Sequence, residues 1–357
     1  MSKSFRERVL KFWEAFTEEE KEVREMMDNK VEGETLLKFV DNILSIAFNT
    51  VYFEMGINNE GKYELILTPE GDKAKLLQLH YWLKMAPGHL WKKWNFYSSK
   101  PGVGKSNFGL TMFDISVDKD DVTIGYVLDS EREKLNIEVY APKLMPVEEN
   151  KRYSMFFILL DQFIGEINTM QYVGYIDFVE IPPVGNVVQI DEFKETIENT
   201  ITEQQWLAVK DPAQVYTGYR LEPNESEGWK LREDAYIGAT SCIPVINSFL
   251  NRDEEFLSYF EKDGLTYGFV FYENSTIEQE QMVPFRSAIE DKITSITSSQ
   301  GIADTIGGAT GFHFSYIDFI IYDKNMFLEI AKDVLTGYDL EQIGFATFRF
   351  GDKPELF

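Results

Sequence analysis

Residues 306–322 constrain the fold more than any other stretch. Gly307, Gly308 and Gly311 lead into a run of aromatic and β-branched residues that carries only one acid, Asp318. A glycine-rich turn entering such a run predicts a central, buried strand over 314–322. An echo lies earlier: Gly165 and Glu166, then Tyr175, Ile176, Asp177, Phe178 and Val179. In both places a helical pattern ends near glycine and a Tyr-Ile-Asp-Phe strand follows. The echo predicts an internal duplication and therefore two domains.

A chain of 357 residues with 44% hydrophobic and 15% aromatic residues supports two packed cores. The punctuation places the boundary. Pro182, Pro183 and Gly185 interrupt regular structure, so 1–181 reads as an N-terminal domain and 182–204 as a linker with an acidic bridging helix. Residues 205–357 then form an acidic C-terminal domain. In each half, short strands with turn signals between them alternate with helices, without a dinucleotide-binding glycine fingerprint. The fold class expected is α+β: two sandwich-like domains, each a mostly antiparallel sheet with helices on one face.

Local signals predict the elements. Phe5, Val9, Phe12, Trp13 and Phe16 mark an amphipathic first helix. Thr17 with Glu20 reads as a capping box that opens a second one. A hairpin is expected at 51–57 and 63–67, turning at Asn58-Asn59-Glu60-Gly61. Strands are expected at 91–97, 108–116, 122–128 and 135–140. A strongly apolar helix at 153–167 and a strand at 175–181 follow. In the last third, helices are expected at 254–261, 283–294 and 326–335, and strands at 215–221, 267–272 and 344–350.

The charge excludes some functions. Net charge is −25. Residues 1–190 hold 22 Lys+Arg against 30 Asp+Glu, and residues 191–357 hold 13 against 30, giving −8 and −17. Such a chain does not suit nucleic acid, which requires cations to displace condensed counterions. It permits a basic protein partner or mimicry of a polyanion, and it also serves plain solubility. No apolar run reaches the roughly 20 residues a membrane helix needs. The charged N-terminus and the single cysteine, Cys242, point to the cytosol.

The motifs of established chemistry are incomplete. Lys100-Pro101-Gly102-Val103-Gly104-Lys105-Ser106 resembles a phosphate loop, but Ser99 stands where the first glycine belongs and a strand, not a helix, follows. The glycines around Ser106 are spaced one residue too far apart for a nucleophile elbow. Cys242 could pair with His313, but no cation neighbours it in sequence to favour the thiolate. His80, His89 and His313 lack metal-ligand spacing. Asp118-Lys119-Asp120-Asp121 lacks the glycine and distal glutamate of a calcium loop. No cofactor and no metal is expected. Asp177 and Asp318 interrupt apolar strands: if buried, each needs a partner, which Arg232 with Asp234 or Arg286 with Glu290 and Asp291 could supply, but alternation favours the polar faces for both. Arg232, Asp234, Arg286, His313 and Asp318 fall near the strongest turn signals of one half. They are the candidate ligand-binding residues for a cleft between the two domains.

Several structural stretches together resemble an uncharacterised bacterial family known only as a domain of unknown function. They are Phe12-Trp13-Glu14-Ala15-Phe16 (with Ala15 in place of an aromatic), the strand from Glu64 to Thr68 with Pro69-Glu70-Gly71, Ala86-Pro87-Gly88 with Trp91 and Phe96, and Gly264-Leu265-Thr266-Tyr267-Gly268-Phe269-Val270-Phe271. The resemblance implies no catalytic residues. By analogy it implies an immunity-like or regulatory protein. The expected function is a non-enzymatic bacterial protein that binds a partner through its acidic C-terminal surface. The alternative is a small-ligand binder or hydrolase.

Overall fold

The computed structural model describes residues 3–209, 211–224 and 226–357. In order, its elements are α1 (Phe5–Asp28), α2 (Gly33–Leu44), β1 (Tyr52–Ile57), β2 (Tyr63–Thr68), α3 (Lys73–Lys84), β3 (Trp94–Tyr97), β4 (Gly109–Met112), β5 (Ile115–Asp118), β6 (Thr123–Asp129), β7 (Lys134–Tyr140), α4 (Glu149–Ile164), α5 (Glu166–Tyr172), β8 (Val173–Phe178) and β9 (Val187–Gln189). Then come α6 (Phe193–Gln204), β10 (Thr217–Arg220), β11 (Ala235–Thr240), α7 (Ile243–Asn251), α8 (Glu254–Glu261), β12 (Thr266–Glu273), α9 (Met282–Thr297), β13 (Ala303–Gly311), β14 (Phe314–Ile321), α10 (Lys324–Leu335), β15 (Gly344–Thr347) and β16 (Glu355–Leu356). The fold is α+β, with sheets that are mostly antiparallel. No helix among the described residues is long and apolar enough to cross a membrane.

Contacts divide the chain into two compact units. One comprises residues 1–51, 84–90 and 213–357, and the other residues 52–83 and 91–212. These units do not follow the expected domains 1–181 and 205–357. Helix α1 belongs with the C-terminal half: Phe5 donates its N–H to Gly264 O at 3.0 Å and Arg6 to Tyr322 O at 2.9 Å. The segment 182–204 stays inside the second unit. Its β9 pairs with β6, and Phe193 and Ile197 of α6 enter the same core as β6 and β7. Counted by unit, the charge is 20 Lys+Arg against 35 Asp+Glu (−15) in the first and 15 against 25 (−10) in the second. For 203 and 154 residues these densities are close. The asymmetry of the two chain halves does not single out one folded unit.

The first unit is built on one seven-stranded sheet in the order β10-β11-β13-β14-β12-β15-β16, with every pairing antiparallel. Helices α9 and α10 cover one face over Val270, Ile317, Phe319 and Ile321, with Phe327 of α10 in the same core. The second unit holds the sheet β1-β2-β3, the hairpin β4–β5 and the sheet β8-β7-β6-β9. Here β2–β3 and β7–β8 are parallel.

Three local expectations are corrected. Helix α1 runs unbroken through Thr17, whose hydroxyl donates back to Trp13 O at 2.7 Å. The capping box lies at Ser4 and Glu7. The buried stripe Phe5, Val9, Phe12, Trp13, Phe16 and Val23 crosses residue 17 without changing face, so packing overrides the local signal. Strand 108–116 is split at Phe113 and Asp114, whose φ of 52° and 60° makes a hairpin turn. The glycines at 307–311 are strand, not turn. Gly307 has φ +141°, and a Cβ there would lie 2.1 Å from Ala239 O on the neighbouring β11. These glycines let strands meet closely, and the turn falls at Phe312 and His313.

The duplication is also corrected. Strand β14 is an interior strand with antiparallel neighbours, and Asp318 is fully buried in it. Strand β8 is an edge strand parallel to β7, and Asp177 is exposed. The polar-face expectation describes Asp177. It fails for Asp318, for which burial and a cation are supplied from far along the chain.

Candidate functional site

The five residues singled out by sequence do not form one site. Arg232, Asp234 and Asp318 do come together. The Arg232 guanidinium donates to both Asp318 oxygens at 2.6 and 2.7 Å and also donates to Tyr219 Oη at 3.0 Å. The rings of Phe269, Tyr316 and Phe348 lie within 5.3 Å of its central carbon. Asp234 accepts the N–H groups of His313 and Phe314, at 2.9 and 3.0 Å, and the hydroxyl of Tyr316. Arg232 donates its own backbone N–H to Tyr316 Oη at 2.9 Å.

Arg232, Asp234 and Asp318 are 3%, 1% and 0% exposed. Burial opposes the guanidinium charge, but Asp318 beside it holds the pKa above the ordinary value. Burial and then Asp234 raise the Tyr316 phenol. Each charge is met by a partner, which is what a buried ion pair requires. His313 serves through its backbone, and its imidazole stacks on Trp229 at 5.3 Å. Arg286 stands apart on α9 and donates to Thr310 Oγ1 at 2.9 Å. The network ties the start of β11 to β14.

The phosphate-loop resemblance is settled by its amides. Lys100 donates its N–H to Glu166 Oε2 at 2.7 Å, Val103 to Gln162 O at 2.8 Å and Gly104 to Phe163 O at 2.9 Å. The backbone donors that a phosphate would need are spent on the last turn of α4 and the first residue of α5. Gly102 and Gly165 make this contact: a Cβ on Gly102 would lie 2.4 Å from Gly165 N. The expected helix 153–167 breaks at Gly165, at φ +90°.

Other motifs also resolve into structure. Ser106 accepts the Phe108 N–H at 3.3 Å. Asp118–Asp121 is a short helical turn capped by its own carboxylates. Cys242 is buried ahead of α7. Among the described residues no group of His, Cys, Asp and Glu could hold a metal ion.

Residues of α4 and α5, on either side of the break, line the most chemically informative cavity. It measures about 820 Å³ and lies wholly within residues 52–83 and 91–212. The buried face of α4 (Met155, Phe156, Leu159, Leu160 and Phe163) packs into the core. Its other face presents Ser154, Phe157, Ile158 and Asp161 to the cavity, at helical spacing. Phe53, Met170, Val173 and Ile176 extend the apolar wall. Glu54, Thr68, Glu70, Lys100, Glu166 and Thr169 add the polar groups.

Glu166 organises the polar end. It is 1% exposed. It accepts from Thr68 Oγ1 at 2.5 Å, Glu70 N at 3.2 Å and Lys100 N at 2.7 Å. Burial pushes its pKa up to about 7, against the pull of these donors. Burial also raises Asp161, with Thr169 and Lys100 acting the other way. Asp161 Oδ1 is buried and has no hydrogen-bond partner. Lys100 Nζ is 2.7 Å from Glu54 Oε1.

Sequence reasoning misses this site. Glu166 figures there only as part of an echo, and its partners lie 66 to 98 positions away. The signal that could have found it is a pair of acids, Asp161 and Glu166, five residues apart in the most apolar helical stretch of the chain. No family model matches this chain, and no curated protein or solved structure matches it, so the geometry carries the functional argument.

Proposed function

We propose that residues 52–83 and 91–212 form a binding module that holds a small molecule with an apolar body. The observation that carries this reading is the cavity of about 820 Å³, which has the size of a small-molecule site, apolar walls and a few polar groups at one end. Its polar end is preorganised: Glu166 bonds to groups on β2, on the segment after β2 and on the loop before β4, so these segments are held together before any ligand arrives.

The same geometry favours binding over catalysis. A carboxyl group with a pKa of about 7 has the acidity of a general acid. Glu166 is nonetheless sealed, and both its oxygens are engaged within the fold. It acts as a support. The test is displacement of an apolar fluorescent dye from the full chain by small amphiphiles, compared with a Phe157→Glu variant. Binding to the wild type that Phe157→Glu abolishes supports the reading. Equal binding by both proteins sinks it.

A second reading, recognition of a basic protein segment, finds support on α1. There Glu18, Glu19, Glu22 and Glu25 outnumber Lys21, which lies 3.5 Å from Glu25, along a shallow groove of about 480 Å³ that Met26 and Val31 also line. Capture of a basic partner from native lysate, lost at high salt and in a variant with these four acids changed to glutamine, is the corresponding test.

A further inference from the structure

We infer that the ligand of the second unit's cavity is an organic cation, a primary amine on an apolar body, whose ammonium group is held by Asp161. The inference rests on the binding reading above and names its ligand class.

The polar end of the cavity is rich in acceptors and poor in free donors. Ser154 donates its hydroxyl to Asn150 O at 2.9 Å, and Thr169 to Gly165 O at 3.2 Å. The Thr68 hydroxyl is committed to Glu166. Among the described residues of the lining Lys100 is the one cation, and it is paired with Glu54. Against it stand four acids, Glu54, Glu70, Asp161 and Glu166. Glu54 has Lys100, and Glu166 has three donors. Glu70 lies at the exposed rim.

Asp161 is the one left undersupplied. It lines the cavity and its Oδ1 is buried without a donor; Thr169 and Lys100 favour its charge but leave that oxygen unbonded, so the carboxylate's demand falls on its open side. A desolvated carboxylate of this kind favours a cation or strong donor arriving from the open side. An anionic or acceptor-only ligand would find no comparable partner. The aromatic rings of Phe53, Phe157 and Tyr52 supply apolar surface for the body and negative ring faces for the cation.

The experiment is isothermal titration of the full-length protein at pH 8 with matched pairs: 2-phenylethylamine against 2-phenylethanol, and tryptamine against tryptophol. The expected result is that each amine binds at least about tenfold more tightly than its alcohol, as a charge-assisted bond implies. Asp161→Asn should remove the preference, bringing the amine to the level of the alcohol. Equal binding of amine and alcohol to the wild type overturns the amine assignment while leaving the cavity reading intact. Binding of neither overturns both. The amine–alcohol comparison uses the wild type, so it decides the matter even if Asp161→Asn fails to fold.

Discussion

Two buried acid clusters, one in each compact unit, receive opposite treatment. In the first unit Asp318 is fully buried and met by both arms of Arg232, while Asp234 takes two amides and a phenol. In the second, Glu166 is as deeply buried but held only by neutral donors, and Asp161 has an oxygen with no donor at all. The contrast shows where to look for function. A buried acid whose oxygens are all engaged within the fold, as in Asp318, Asp234 and Glu166, is part of the framework. One with an oxygen left without a donor, as in Asp161, keeps a net demand that a ligand can satisfy.

The largest effect is expected from Asp318→Ala. It leaves the Arg232 charge buried and alone, and should destabilise the first unit by about 3–5 kcal/mol in denaturant titrations. The double variant Arg232→Met/Asp318→Leu should recover most of that loss. A single variant no less stable than the wild type would mean that the pair is not a framework element.

The next test is pH. Glu166 is raised from 4.5 to about 7 in the folded chain, so the folded state binds more protons than the unfolded state between those values. Its contribution to stability is therefore full at low pH and is lost as pH rises through that window, by on the order of 2–3 kcal/mol. Glu166→Gln should flatten the fall, as read by chemical denaturation of the full chain at pH 5 and pH 8. Identical slopes would show that Glu166 does not titrate in the fold.

Gly102→Ala places a Cβ against Gly165 N and Ile164 C at a φ of +72°. It should cost about 2 kcal/mol by loosening the loop from the end of α4. Hydrogen exchange of the Val103 and Gly104 amides would report this directly, and unchanged protection would contradict it. The smallest effect completes the contrast. Asp161→Asn should stabilise the ligand-free chain by roughly 1 kcal/mol at pH 8, because it removes a desolvated charge that has no cation of its own. Asp318→Ala and Asp161→Asn thus move stability in opposite directions, and a shared sign would erase the distinction between the clusters.

Much of the secondary structure is legible in the chain. Helix α8 occupies the residues expected of it, and the hairpin β1–β2 turns where Asn58 and Gly61 predict. Those signals are local: a period, a cap, a turn residue. The misreadings share one cause. Glycines 307 and 308 signal a turn by local rules but serve close strand packing, Gly307 against Ala239 on β11 and Gly308 against Tyr316 on β14. Thr17 signals a helix start but lies beside a buried stripe that continues past it. Of the candidate residues, Arg232, Asp234 and Asp318 share one environment, while Arg286 stands apart. That this environment is a closed network could not be read from composition, because all its partners but Tyr219 stand 79 to 86 positions apart.

The chain's own residues dictate the alternation of helices and strands, the acidic character and the lack of a complete motif for phosphate or nucleophilic chemistry. Which acids are neutralised is a property of the folded molecule. Asp177 and Asp318 sit in the same four-residue string, yet one meets water at a sheet edge and the other meets Arg232 inside a sheet. Ionisation depends on solvent exposure and on the nearest opposite charge, and both are set by contacts between residues remote in the chain.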